Sequence, residues 1–239
     1  MANVFKFKQF EVDQEGCAMR INTDGVLLAA IAGHPFPKDI LDIGTGTGVL
    51  AMMMAQRFPE ASIVAVEIDE QASITAARNF NSSSFTDRIN AIHTGIATYE
   101  TERRYDLIIS NPPFFVNDLK NPEGRKSLAR HTDEAFFESL LLKAEELLTS
   151  GGLLWLILPV KQAGFVTVKA SGNGLVLQRE ISICSDINKP VIRKIICLGR
   201  TEPNLKDTPL QEELFYIYSS EGAYTDAYKQ LLKDFFLAF

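Results

Sequence analysis

The sequence predicts an α/β protein: a doubly wound, mostly parallel sheet with an antiparallel C-terminal hairpin and a small N-terminal β-extension. Three observations carry that expectation. After residue 38, short apolar runs alternate with stretches of helical periodicity, the pattern of successive βαβ units. Later, "GLVLQREISICS" and "VIRKIICLGR" read as two long strands joined through the polar, proline-containing "DINKP". At the front, "VFKFKQFEV" alternates apolar and polar residues before a first helix in "CAMRINTDGVLLAAIA".

The strands expected in the core are Ile40–Ile43, Ser62–Val66, Ile89–His93, Tyr105–Ser110 and Leu153–Leu158, with "ELFYIYS" as a further strand after the hairpin. Helices are expected in "GVLAMMMAQRF", in "EQASITAARNF" and in "DEAFFESLLLKAEELLTSGG". The last has an acidic start, helical spacing and a terminal glycine pair suited to a C-cap. The tail "YTDAYKQLLKDFFLAF" sets Tyr224, Ala227, Tyr228, Leu231, Leu232, Phe235 and Phe236 on one helical stripe, as in a helix that closes a core. With 239 residues and 46% hydrophobic content, one domain over residues 1–239 is expected, residues 1–38 forming the extension and first helix and 39–239 the core.

Composition sets further bounds. No apolar run approaches the roughly 18–20 residues that span a bilayer, and "MANVFKFKQF" lacks the apolar block of a secretion signal, so a cytoplasmic protein is expected. Cys17, Cys184 and Cys197 are odd in number and lack the close pairing of a zinc site, which points to reduced structural thiols and no metal. A net charge of −6 argues against indiscriminate coating of nucleic acid, while a local basic surface remains compatible with one particular RNA.

The chemistry concentrates at strand ends. "LDIGTGTGVL" places Gly44, Gly46 and Gly48 between the first core strand and its helix, where glycines let backbone amides approach a ligand closely. A dinucleotide fingerprint would need glycine at position 49, which is Val49, and no phosphate-loop lysine follows. The arrangement resembles instead the D-x-G-x-G-x-G motif of Rossmann-type S-adenosylmethionine-dependent methyltransferases, matched by Asp42, Gly44, Gly46 and Gly48. By that resemblance Glu67, ending the second strand in "VAVEID", would accept from the ribose hydroxyls, as a carboxylate can do for two neighbouring donors. Asp69 is a second candidate if the strand persists to it.

"YDLIISNPPFF" halts a buried strand at an asparagine and two prolines. A rigid corner is the plain reading. "NPPF" also resembles the fourth motif of methyltransferases acting on amino groups of planar systems. Such an amine delocalises its lone pair and is a poor nucleophile until its hydrogens are gripped. The Asn111 side-chain oxygen and the Pro112 carbonyl can accept those hydrogens, Pro112 and Pro113 fix the local dihedrals, and Phe114 suits a stacking platform for a base.

Along nearly its whole length, through "FKFKQFEVDQEGCAMRINTDGVLLAA", "LDIGTGTG", "VEID", "DLIISNPPFF", "LARHTD" and "YKQLLKDFFLAF", the chain resembles the bacterial valine-tRNA adenine-N6 methyltransferase family, which modifies adenine 37. The resemblance implies a Rossmann-like methyltransferase domain, S-adenosylmethionine as cofactor with S-adenosylhomocysteine as product, and tRNA as partner; a monomer is expected. It also implies that "NTDG", with Thr23 and Asp24, lies over the methionine end of the cofactor, although Asp24 equally suits a helix cap. Where the family usually carries an acid after its third strand, this chain has Gly95, so Thr94 or a backbone carbonyl would substitute.

For RNA, residues 117–131 carry Lys120, Arg125, Lys126 and Arg130 against Asp118 and Glu123, with His131 beside them. The hairpin residues Arg179, Lys189, Arg193 and Lys194 offer a second surface, solvated strand faces being the alternative. Rival readings are the same chemistry on rRNA guanine N2 or a protein glutamine, and a non-catalytic S-adenosylmethionine-binding protein.

Overall fold

The computed structural model describes residues 3–113, 124–201, 209–220 and 222–239; for residues 124–133 and Ser220 it describes the backbone alone. Strands β1 (Val4–Lys6) and β2 (Glu11–Asp13) pair antiparallel and lead into α1 (Thr23–Ile31). The alternating core follows as β3 (Asp39–Ile43), α2 (Val49–Arg57), β4 (Ser62–Glu67), α3 (Glu70–Asn81), β5 (Ile89–His93) and β6 (Tyr105–Ser110). Then come α4 (Gly124–Leu147), β7 (Leu148–Leu158), α5 (Val160–Gly172), and the hairpin β8 (Leu175–Cys184) and β9 (Val191–Arg200). The chain finishes with β10 (Gln211–Tyr216), β11 (Tyr218–Ser220), β12 (Ala223–Tyr224) and α6 (Asp226–Leu232).

Eight strands form one sheet in the order β10-β8-β9-β7-β6-β3-β4-β5. The run from β7 to β5 is parallel, β9 is antiparallel to both β7 and β8, and β10 runs parallel to β8. Strand alternation divides the apolar side chains between two cores. Ile40, Leu107, Ile109, Trp155, Ile157, Ile195 and Cys197 pack on one face with residues of α1, α2, α3, α6 and the N-terminal aromatics. Leu41, Ile43, Ile108, Leu154, Leu156, Ile196 and Leu198 pack on the other, beneath α4 and α5. Burying one such side chain contributes about 1.5–3 kcal/mol, which is why nearly continuous apolar runs make the central strands.

Two half-buried arginines complete the helix ends on the first face. Arg57, in the last turn of α2, donates to the Ala29 and Ala32 carbonyls at the end of α1; burial pulls its pKa down to about 10, so it stays charged at neutral pH. Arg88 donates to the carbonyls of Ala55 and Phe58 at the end of α2 and to that of Ala61 just before β4. Such carbonyls have no partner within their own helix.

Several boundaries differ from the sequence expectation. The long helix begins at Gly124, ends at Leu147 and passes straight into β7, so the glycine pair lies inside a strand rather than at a cap. Its cause is local: Gly151 has φ +97°, and a Cβ on Gly152 would stand 2.8 Å from the Tyr105 carbonyl oxygen, where the β6–β7 register shifts. Helix α5 occupies a stretch for which no helix was expected; its few buried positions are Ala163, Val166 and Ala170. "ELFYIYS" is divided between β10 and β11. In the tail only Asp226–Leu232 is helical, Tyr224 belongs to β12, and Tyr228, Leu232 and Phe235 are the residues that enter the core. All three cysteines are free thiols, with burial pushing Cys197 up to about 12.

Gly152→Ala is expected to cost about 2 kcal/mol in urea unfolding, because the obstructing atom is backbone and cannot step aside. Gly164→Ala, in α5 with open space around its Cα, is expected to be neutral or to stabilise by about 0.5–1 kcal/mol.

Candidate active site

The ends of β3, β4 and β6 meet at the carboxyl edge of the sheet, the edge at which parallel α/β sheets open a crevice. Ser110, fully buried, donates from Oγ to the Ile43 carbonyl at 2.7 Å and locks the last residue of β6 to the last residue of β3. Beyond that lock the two chains diverge. β3 turns into the glycine loop, and β6 stops at Asn111-Pro112-Pro113, whose prolines have no N–H to continue a ladder.

Gly44, Gly46 and Gly48 have φ of +71°, +55° and +85°, a region that costs L side chains strain. Their surroundings differ. Among the described residues nothing lies within 4 Å of where a Cβ would stand on Gly44 or Gly46, so those two leave the loop open from above. A Cβ on Gly48 would stand 2.4 Å from Phe80 Cε1, so that glycine serves the packing of α2 against α3.

Two carboxylates order the loop from opposite sides. Glu67 accepts from Gly46 N at 2.9 Å with one oxygen and from Asp69 N at 3.0 Å with the other, while the Gly44 and Thr45 amides donate to the Val66 carbonyl. Asp42 lies beneath the loop, wholly buried, and accepts from Thr45 Oγ1 at 2.5 Å. It organises the loop and does not line the cleft. Desolvation pushes its pKa up to about 7, the Thr45 hydroxyl and Ala51 amide pulling down more weakly and the Glu67 charge adding to the rise.

Asn79 of α3 ties the loop to the N-terminal extension by donating to the Thr47 and Asp13 carbonyls and accepting from Asp13 N. The extension then crosses the opening. The cleft, about 340 Å³ including its mouth, is lined by Arg20 and Asn22 of that segment, Gly25 of α1, the loop from Gly44 to Thr47, and Asn111. Asn111 Oδ1 is buried and has no hydrogen-bond partner among the described residues.

Several expected site residues have other partners. Asn22, not Asp24, caps α1, its Oδ1 accepting from Gly25 N at 2.9 Å. Thr23 and Asp24 lie off the cleft, and Asp24 accepts from Arg193 Nε at 2.6 Å. β4 ends at Glu67, so Asp69 does not continue its face; Asp69 caps α3 by accepting from Ala72 N at 2.8 Å. Thr94 engages its hydroxyl with Thr98 Oγ1 and the Gly95 carbonyl in its own turn, and Gly95 faces the exposed Ile68.

On the hairpin Lys194 pairs with Glu180 at 2.5 Å and Arg179 with Glu213 at 2.8 Å. With Arg193 on Asp24, three of the hairpin's candidate RNA cations are neutralised within the fold, and Lys189 at its tip is exposed. Phe114 and Lys120 lie outside the described residues, as do the side chains of Arg125, Lys126, Arg130 and His131. Among the described residues no cluster of His, Cys, Asp and Glu could hold a metal ion, and no helix is long and apolar enough to cross a membrane.

Fold and cleft together define a methyltransferase of Rossmann-like architecture. Residues 21–171 match the family model described as methyltransferase small domain. A predicted O-methyltransferase from Agrobacterium tumefaciens has the same fold, with a TM-score of 0.67 at 17% identity over 89% of this chain and 96% of that one. A protein of Pedobacter heparinus named tRNA1(Val) (adenine(37)-N6)-methyltransferase is 56% identical over 100% of both chains. Relatives of the same name from Dyadobacter fermentans and Bacteroides thetaiotaomicron are 39% and 38% identical, covering 98% and 99% of each chain. The chain belongs to this family of tRNA1(Val) (adenine(37)-N6)-methyltransferases, within the methyltransferase small-domain class.

The raised pKa of Asp42 has a signed consequence. Between its unfolded value near 3.8 and about 7 the folded state holds the extra proton, so this residue's contribution is fully present below pH 3.8 and is lost as pH rises toward 7. Melting curves of the wild type and Asp42→Asn across that window are therefore expected to diverge, the wild type losing stability relative to the variant as pH rises.

Proposed function

We propose that the protein transfers a methyl group from S-adenosylmethionine to N6 of adenine 37 in a valine tRNA, working as a cytoplasmic monomer with residues 1–239 as one methyltransferase domain. The observation that carries the chemistry is the partnerless Oδ1 of Asn111, on a residue that lines the cleft beside the open glycines 44 and 46. The tRNA substrate is drawn from the full-length relatives.

The residues present fit the cofactor. S-adenosylmethionine, when bound, would supply a sulfonium methyl as the electrophile, the electron pair of the broken C–S bond staying on sulfur so that S-adenosylhomocysteine leaves as the product. The backbone at Gly44 and Gly46 permits its close approach, and each Glu67 oxygen has a second lone pair for a ribose hydroxyl. Asn111 Oδ1 and the Pro112 carbonyl accept the two amine hydrogens, which frees the nitrogen lone pair for in-line attack. The N6 ammonium formed on the adenine is strongly acidic and sheds its proton afterwards, so no strong base is needed beforehand. Catalysis rests on position and on preorganised acceptors. Phe114 serves as the stacking surface for the flipped base.

Phosphate contact falls to Lys120, Arg125, Lys126 and Arg130, with His131 beside them and Lys189 at the hairpin tip.

Labelled S-adenosylmethionine and total tRNA from a strain lacking the protein test the reading directly: the label should map to adenine 37 of a valine tRNA, and label on rRNA or on protein glutamine would replace the substrate. Asn111→Ala should lower turnover by at least about a thousandfold and leave the cofactor dissociation constant within about threefold by calorimetry. Glu67→Ala should instead weaken cofactor binding by about tenfold or more. Neutralising Lys126 and Arg130 together should make the salt dependence of tRNA binding shallower by about one or more in log–log slope; an unchanged slope would move the RNA elsewhere.

A further inference from the structure

We infer that Asn22 is a positioning residue for the transfer reaction: its side-chain oxygen selects the rotamer of Asn111 that turns an acceptor, and not a donor, toward the incoming amine. The inference rests on the proposed reaction and deepens it. An asparagine amide can be turned over at almost no steric cost, exchanging oxygen for NH2, so the hydrogen-bond network decides which end points where. With NH2 facing an exocyclic amine, donor would meet donor and the nitrogen lone pair would stay delocalised.

The surroundings of Asn22 remove that ambiguity. Its Oδ1 accepts from Gly25 N at 2.9 Å, and a backbone N–H has only donor character, so the atom at that point must be an oxygen. The same oxygen faces Asn111 Nδ2 at 3.5 Å, the long end of an N–H···O contact. Turning the Asn111 amide over would set two oxygens against each other. The contact is therefore selective even though it is weak, and it leaves Asn111 Oδ1 as the partnerless atom.

Two further features hold Asn22 in place. Gly25 lets the first turn of α1 lie against the amide: a Cβ there would stand 3.3 Å from Asn111 Nδ2 and 3.0 Å from Leu50 Cδ1. The Asp24–Arg193 ion pair at 2.6 Å ties that same turn to β9. A capping device thus extends its reach to the residue at the end of β6.

The test separates capping from orienting. Asn22→Ser keeps a good N-cap for Gly25 N but is too short to reach Asn111; Asn22→Asp keeps both the cap and the acceptor. Single-turnover methyl transfer to tRNA should fall about tenfold in Asn22→Ser, with melting temperature and cofactor dissociation constant unchanged, and should stay within about threefold of wild type in Asn22→Asp. In an Asn111→Ala background, Asn22→Ser should produce no further loss. Full turnover in Asn22→Ser, or an equal loss in Asn22→Asp, would overturn the positioning role while leaving the reaction standing. Full turnover in Asn111→Ala would remove the reaction itself, a distinguishable failure.

Discussion

The hydrogen bond from Ser110 Oγ to the Ile43 carbonyl is the constraint on which the cleft depends. It joins two parallel strands at their last paired residues, so the glycine loop and the Asn-Pro-Pro corner start from the same level of the sheet. From there the two chains have no common ladder. Positive φ at Gly44 turns one away, the prolines stop the other, and the space between them is the cleft. An amide oxygen can be held beside the glycine loop with little play because both are mounted on the rigid edge of a buried sheet.

Charge is then used locally rather than broadcast. Glu67 and Asp42 both hold the loop, Glu67 through backbone amides and Asp42 through the Thr45 hydroxyl, and Asp42 keeps its proton far above the usual carboxylate range because nothing cationic compensates its burial. Among the hairpin cations, Arg179, Arg193 and Lys194 are closed onto carboxylates of the same fold. Those pairs stitch β8, β9, β10 and α1 together. They tie up these three cations within the fold of a chain whose net charge is −6.

Much of this was legible in the chain. The run Tyr105–Ser110 marks a strand to the residue, because a strand buried on both faces tolerates few polar positions, and the bounds of the edge strand Ile89–His93 and the hairpin strand Val191–Arg200 also match. Helix α5 was not legible: a helix on the sheet's flank, with only three small or branched residues buried, has too thin a stripe to register. The glycine pair at 151–152 misled, since glycine serves a bulge as readily as a cap and only the closeness of the Tyr105 carbonyl distinguishes them.

The sequence by itself determined the two devices at the strand ends, a glycine-rich turn after one buried strand and an Asn-Pro-Pro stop after another, because φ, ψ and the missing N–H of proline set them locally; the class of chemistry came from the resemblance of both to methyltransferase motifs. Tertiary structure alone decided which side chains share the cleft. Asn22 rather than Asp24 reaches Asn111, Asp69 caps a helix once β4 ends, and Arg193 meets Asp24 across 169 positions of chain. Such pairings depend on distances between elements, and no spacing within one segment encodes those.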